Sequence, residues 1–166
     1  MKILATSLAV GASLLLSACV STEAPLPKFD ELLRAETQQD GRACIEQRHI
    51  RGFGTLEDSV ISIDAIGKEE YYLATTLYQC HSLLTDFRVG FKGAFTELCG
   101  GGRDRVITSQ ESCPIKSIFA FESREAAFAA YQNTLNIRQE LREKNKKDKN
   151  TKDTESESEA VLIANN

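Results

Sequence analysis

The sequence has little of what catalytic and metal-binding motifs require. Its two histidines are His49 and His81, so any Ser-His or Cys-His arrangement has to use one of them. It contains no Gly-x-Ser-x-Gly elbow, no His-Glu-x-x-His helix and no Cys-x-x-Cys pair. The carboxylate pairs Glu57-Asp58 and Glu69-Glu70 flank predicted strands, where surface acids are expected. We therefore predict no catalytic residue, no metal site and no cofactor.

Positive charge is also scarce. The chain carries 20 Lys and Arg against 24 Asp and Glu, a formal net charge of -4, and its densest basic run lies in the tail, between residues 144 and 153. A protein that binds nucleic acid needs a basic face to neutralise phosphates. We therefore expect no nucleic-acid partner.

The first 18 residues have the composition of a removable leader. Lys2 gives a positive start, the apolar stretch Ile3–Leu16 follows, and small residues precede Cys19. This stretch is shorter than the roughly 20 apolar residues of a membrane span. Leu16-Ser17-Ala18-Cys19 resembles the lipobox of bacterial lipoproteins. The resemblance implies that the chain is cut before Cys19, that the Cys19 thiol carries a diacylglyceryl group, and that the new amino terminus is acylated.

The residue after Cys19 bears on the location. In the bacterial lipoproteins that the leader resembles, an aspartate directly after the lipidated cysteine implies retention in the inner membrane. This chain has Val20 at that position. The resemblance therefore implies a lipid-anchored protein on the periplasmic face of the outer membrane, bound to the membrane through its lipid. Lipidation also accounts for the odd number of five cysteines, since four remain to pair without Cys19.

Composition divides the chain into five segments. After the leader of residues 1–18, residues 19–41 form a lipidated tether with a short amphipathic helix carrying Phe29, Leu32 and Leu33. Residues 42–122 form a disulfide-stapled β domain, and residues 123–143 form a helix capped by Ser123. Residues 144–166, rich in charge and poor in apolar side chains, are predicted to be disordered.

Period-two alternation predicts several strands within residues 42–122. Residues 59–78 predict a β-hairpin that turns at Gly67-Lys68, where a glycine suits a tight two-residue loop. Residues 87–92, 106–109 and 115–121 predict further strands. The predicted fold is mainly β (α+β overall): a small antiparallel sheet or partly open barrel of five or six strands, with a C-terminal helix and a disordered tail.

Four cysteines lie inside this domain: Cys44, Cys80, Cys99 and Cys113. A core of about 80 residues usually needs cross-links, and the periplasm is oxidising, so we predict two disulfides. Three connectivities exist, and sequence does not choose among them. We favour Cys80 with Cys99 and Cys44 with Cys113, because this nesting joins the ends of the domain around its middle. The spacings of 36, 19 and 14 residues match no zinc pattern.

The run Gly100-Gly101-Gly102-Arg103 is the candidate for ligand binding. Three glycines allow consecutive backbone N–H groups to converge on an anion, and Arg103 adds positive charge. The run lacks the Lys-Ser or Lys-Thr that completes a phosphate loop. The alternative is a hairpin turn between two strands that the disulfides hold.

Together these features define a second resemblance. Tyr72-Leu73 leading to Cys80, then Cys99, then Cys113-Pro114-Ile115 before a strand resemble small secreted bacterial proteins known as a domain of unknown function, over residues 42–121. That family implies no activity. We expect an outer-membrane-anchored binding or envelope-assembly accessory module with an envelope protein as partner. The alternative is a periplasmic enzyme or a protein that binds a small ligand or lipid.

Overall fold

A curled β-sheet and two helices organise the part of the chain that the computed structural model describes, residues 25–67 and 71–164, with side chains described as far as 151. Cys19 lies outside these residues. The helices are α1 (Phe29–Thr37) and α2 (Arg124–Ala164), and short 3-10 turns span Gln47–His49 and His81–Leu84. The strands are β1 (Cys44–Glu46), β2 (Ile50–Glu57), β3 (Val60–Ala65), β4 (Tyr71–Thr76), β5 (Gly90–Lys92), β6 (Glu97–Cys99), β7 (Arg105–Ile107) and β8 (Ser112–Phe121).

Six of these strands form one antiparallel sheet in the order β2-β3-β4-β8-β7-β5. The sheet curls into a half-barrel, and its two edge strands approach each other: the ring of Phe53 on β2 lies 6.3 Å from that of Phe91 on β5, edge to face. The predicted fold class, a partly open antiparallel barrel with a C-terminal helix, is confirmed.

Alternation along the strands gives the sheet two apolar faces. Ile61 and Ile63 of β3 point to the inner face, where Phe53 and Phe91 meet, while Val60 points to the outer face. A second small sheet, β1 paired with β6, adds Ile45 and Leu98 to the inner core. The chain's own buried side chains therefore fill the inside of the half-barrel.

The helices cover the outer face. Leu33 of α1 and Ala127 and Tyr131 of α2 are buried against Leu73 and Phe119 of the sheet. Ser123 caps α2 as predicted, since its Oγ accepts the backbone N–H of Ala126 at 3.1 Å. No helix within the described residues is both long and apolar enough to span a membrane.

The structure differs from the predicted end of this helix. The composition predicts that the helix stops at residue 143, but the backbone of α2 continues to Ala164. Most side chains between residues 142 and 151 are exposed, so the extension is solvated. Residues of high helix propensity such as Lys and Glu favour this state without any packing partner.

The predicted hairpin is confirmed, since β3 and β4 pair with Asp64 opposite Tyr71. Residues 68–70 lie outside the described residues, so the two-residue loop at Gly67-Lys68 stays a prediction. The predicted strand at 87–92 is wrong in its first half: β5 begins at Gly90, and Phe87 is exposed. Cys80 and His81 lie after β4, where His81 begins a 3-10 turn.

Candidate functional site

Two disulfides hold the domain, as predicted, but the favoured pairing is wrong. The structure joins Cys44 to Cys99 and Cys80 to Cys113, with Cα atoms 4.2 and 6.2 Å apart. The sheet topology explains the difference. Cys44 and Cys99 lie directly opposite each other in the β1–β6 pair, and Cys80 follows β4, which neighbours the strand that carries Cys113.

The Gly100–Arg103 run lies beside the Cys44–Cys99 bridge. The N–H of Gly101 donates to the carbonyl of Lys116 at 2.9 Å, and that of Gly102 donates to the carbonyl of Ile115 at 2.7 Å. The N–H of Gly100 donates to the carbonyl of Ala43 at 3.4 Å. Because the backbone already uses all three donors, the basis for the predicted anion site is lost.

The glycines in this run have a structural reason instead. A Cβ at Gly100 would lie 2.1 Å from the carbonyl oxygen of Gly41, so only glycine allows the two segments to approach. Gly101 and Gly102 have φ of 132° and 85°, where side chains are strained. The run is a close-packed turn between β6 and β7, which agrees with the alternative interpretation from the sequence.

Asp104, directly after this run, is a structural anchor that the sequence analysis missed. Asp104 is only 4 % exposed. One carboxylate oxygen accepts the N–H of Ala94 at 2.8 Å, and the other accepts the N–H of Cys99. A single Asp after a glycine run carries no pattern that would reveal this role. The carboxylate fixes the loops on both sides of β6.

We expect Asp104→Ala to lower the free energy of unfolding by about 2 kcal/mol, because the backbone N–H groups of Ala94 and Cys99 both lose a buried, charged acceptor. Denaturant unfolding with the disulfides intact measures this loss. Asp104→Asn is the matched control, since its amide keeps one acceptor oxygen and should lose about half as much. Unchanged amide hydrogen exchange at Ala94 and Cys99 in Asp104→Ala would contradict this role.

One surface depression among the described residues is a groove between α2 and the end of β2, which we call the α2 groove, with a volume of about 650 Å³. Leu56, Leu84 and Leu135 supply its apolar lining, and Arg138, Arg142 and Asp58 lie around them. Arg138 Nη1 lies 3.2 Å from a Glu57 carboxylate oxygen, which links α2 to β2. The groove therefore combines an exposed apolar floor with charged groups of both signs.

Beside this groove, Tyr131 stays uncharged at neutral pH. Burial raises the pKa of Tyr131, and the nearby Glu57 carboxylate raises it further, while Arg138 lowers it. The neutral phenol is the state that suits its place among the apolar side chains of the outer core.

The two histidines lie at different places and do not form a common site. His49 Nε2 is 3.5 Å from Glu46, in a depression of about 340 Å³ that Tyr72 and Ile66 also line. His81 is mostly exposed, with Nδ1 3.9 Å from Asp58. A hydrogen bond from Arg48 holds the pKa of Glu46 below its usual value. Glu46 is therefore a surface ion-pair partner that is charged at neutral pH. Glu69 and Glu70 lie outside the described residues.

The chain matches one protein family, over residues 1–136: a Family of unknown function (DUF6491). The match extends beyond residues 42–121, where the resemblance was predicted, and includes the predicted leader, α1 and the first turns of α2. The curated proteins and the solved structures contain no match to this chain. Because the family match covers well over half of the 166 residues, the chain belongs to this family of unknown function.

Proposed function

We propose that the protein is a lipoprotein of the bacterial envelope, anchored through Cys19 to the periplasmic face of the outer membrane, where its domain serves as a binding or assembly module. One observation carries this proposal. Four of the five cysteines pair in two disulfides, so Cys19 alone is left over, and it stands where a lipobox has its lipidated residue. Disulfides also fit an oxidising compartment outside the cytoplasm.

The lipid supplies the strength of the attachment. One acyl chain gives only marginal membrane binding, but several chains at about 0.8 kcal/mol per buried methylene hold a protein firmly. An acylated amino terminus next to a diacylglyceryl group provides those chains. The domain needs no membrane-spanning helix of its own.

The groove beside α2 is the surface we assign to a protein partner. Leu84 is 62 % exposed at its edge, and exposed apolar side chains among polar ones are typical of binding surfaces. The groove is open rather than closed, which suits a segment of another envelope protein better than a small molecule. The charged Glu57, Asp58 and Arg142 would set the orientation of that segment.

The anchor is tested on the protein from its native envelope. We expect the tryptic peptide Cys19–Lys28 to carry both the diacylglyceryl group and the amino-terminal acyl chain in mass spectra. Cys19→Ser should abolish the modification and release the protein from washed membranes. Ala18→Gly, which keeps a small residue before the cut, is the matched control and should remain lipidated. An unmodified Cys19 in the wild-type peptide would refute the anchor.

A second variant tests the membrane. Val20→Asp keeps the lipobox but places an aspartate after Cys19, so we expect a fully lipidated protein that fractionates with the inner membrane. The wild type should fractionate with the outer membrane. If both proteins fractionate with the inner membrane, the assignment to the outer membrane fails while the lipid anchor stands.

The partner is tested by photo-crosslinking in living cells. A crosslinking residue at Gln139, which lines the groove, should capture an identified envelope protein reproducibly. Gln110, another exposed glutamine, in the β7–β8 turn and outside the groove, is the matched control position. The same capture in a chain ending at Lys144 would assign recognition to the groove itself, and equal capture at Gln110 would count against the groove.

A further inference from the structure

Residues 87–96 differ from the rest of this acidic chain. This segment, which we call the edge segment, reads Phe-Arg-Val-Gly-Phe-Lys-Gly-Ala-Phe-Thr and contains three phenylalanines, Arg88 and Lys92 but no acidic residue. Its central part is β5, the last strand in the order of the six-stranded sheet. Aromatic and basic side chains without acids are the combination that favours the interface of a lipid bilayer.

The structure leaves the aromatic side chains at both ends of the edge segment in solvent. Phe87 is 98 % exposed and Phe95 is 86 % exposed, the two highest values among the large apolar side chains in the described residues. The middle ring, Phe91, instead packs on Phe53 in the inner core. Arg88 and Lys92, which lie between the two outer phenylalanines in the sequence, are exposed as well.

Hydrogen bonds hold the loops that carry these rings. Before β5, the Asp86 carboxylate accepts the N–H of Ser109 at 2.6 Å and its hydroxyl at 2.8 Å. After β5, Gln47 Nε2 donates to the carbonyl of Phe95 at 3.0 Å, next to the Ala94 amide that Asp104 holds. The exposed rings therefore lie on anchored backbone, so the entropy of ordering these loops is lost on folding and not on binding.

The proposed lipid anchor brings a membrane within reach of this surface. Nine residues, 20–28, separate Cys19 from α1, and an extended chain of that length spans at most about 30 Å. A domain of this size is about 30 Å across. The tether is thus long enough for the domain to turn its β5 edge towards the bilayer.

We propose that the edge segment docks on the anionic lipid surface to which Cys19 tethers the domain, with Phe87 and Phe95 inserted at the headgroup level and Arg88 and Lys92 paired with lipid phosphates. This inference rests on the proposed function, because it needs the anchor to concentrate the domain at the bilayer. Docking holds the domain in one orientation on the membrane, with the edge segment against the lipid and the α2 groove at a fixed angle to it.

The chain contains no tryptophan, so a single one reports on its own site. Lipidated full-length mature protein carrying Phe87→Trp or Phe95→Trp is reconstituted in vesicles of phosphatidylcholine and phosphatidylglycerol with brominated acyl chains. We expect quenching of both tryptophans. The matched control is Phe128→Trp, whose residue lies on α2 at the outer face, and it should stay unquenched.

Charge is tested in the same vesicles. Arg88→Gln with Lys92→Gln should shift the balance between docked and free domain roughly thirtyfold towards free, at about 1 kcal/mol for each basic residue near an anionic surface. Removing the same charge elsewhere, with Lys146→Gln and Lys149→Gln on the exposed part of α2, should leave the quenching unchanged. In vesicles of phosphatidylcholine alone, the tryptophan at position 87 or 95 should be quenched only weakly, even in proteins that keep Arg88 and Lys92.

Quenching at positions 87 and 95 no stronger than at 128 would overturn the proposal. The proposal would also be overturned if the amides of the edge segment were protected from hydrogen exchange only when another protein is added, because β5 would then pair with a strand of that protein. The mass of the Cys19–Lys28 peptide from the same sample distinguishes a failure of the lipid anchor from a failure of the edge segment to dock on lipid. If Cys19 is unmodified, the anchor fails, and binding of the unlipidated tryptophan variants to the same vesicles still decides whether the edge segment recognises lipid.

Discussion

Replacing Cys80 and Cys113 together by alanine is expected to lower the free energy of unfolding by about 5 kcal/mol, the largest loss we predict for this chain. Restriction of the unfolded chain accounts for about 4 kcal/mol, because the bridge closes a loop with a sequence separation of 33 residues. Packing accounts for the rest. Both cysteines are fully buried in the inner core, and each alanine leaves a small cavity.

The Cys44–Cys99 bridge is the matched comparison. It closes a longer loop, with a sequence separation of 55 residues, so chain entropy alone predicts that its removal costs slightly more. Cys44 is exposed, however, so little packing is lost with this bridge. If burial contributes as we expect, Cys80→Ala with Cys113→Ala destabilises more than Cys44→Ala with Cys99→Ala.

Guanidinium unfolding of the two double variants and the wild type measures both losses. Mass spectrometry of unreduced peptides first checks the pairing in each protein, with Cys44 linked to Cys99 and Cys80 linked to Cys113 in the wild type. A larger loss for the Cys44–Cys99 variant would mean that loop length, and not burial, decides the contribution of each bridge.

The pairing of these cysteines shows where sequence reasoning stops. Period-two alternation is a local signal, so Ile61 and Ile63 predict β3, and the run from Ile115 predicts most of β8. The order of strands in the sheet is not local. Nothing near Cys80 indicates that β4 lies beside β8, yet this neighbourhood brings Cys80 to Cys113.

Short strands limit the prediction in another way. β1 and β6 have three residues each, too few to show a period, although their pairing sets Cys44 opposite Cys99. At 87–92 a period exists but misleads, because Phe91 is turned inward and Phe87 is exposed. An alternating pattern states which residues share a face, and tertiary packing decides how much of that face is covered.

The candidate sites depend on tertiary structure even more. The α2 groove combines residues that are distant in the chain: Arg138 contacts Glu57, 81 residues away. The role of Asp104 depends on amides 10 and 5 residues before it, which only the folded loops bring to its carboxylate. Cys19 is the opposite case, since its predicted role rests on contiguous residues and needs no fold.

The second large effect is expected for Asp30→Ala, which should lower the free energy of unfolding by about 3 kcal/mol. Asp30 of α1 is buried, and its carboxylate lies 2.8 Å from Lys116 Nζ of β8. Arg34 lies 3.8 Å from the other carboxylate oxygen and also donates to the buried Ser117 hydroxyl at 2.7 Å. Without Asp30, the partly buried Lys116 and Arg34 both lose the buried carboxylate that faces them.

The contact between Asp30 and Lys116 joins α1 to β8, so its loss also weakens the attachment of α1 to the sheet. If α1 separates from the outer face, its nine residues lengthen the segment between the domain and the proposed lipid anchor, so the domain can move farther from the membrane. Proteolysis should then cut α1 before it cuts the β domain, because local opening precedes global unfolding. Asp30→Asn, which keeps the shape but not the charge, should show an intermediate loss.

The decisive control replaces the pair and not one partner. Asp30→Leu combined with Lys116→Met removes both charges and fills their volume with apolar groups, so most of the lost stability should return. Denaturant unfolding of the single and double variants gives the coupling free energy between the two side chains. If Asp30→Ala loses less than about 1 kcal/mol, the pair behaves like an exposed salt bridge, and apolar packing of Leu33 and Phe29 must hold α1 in place.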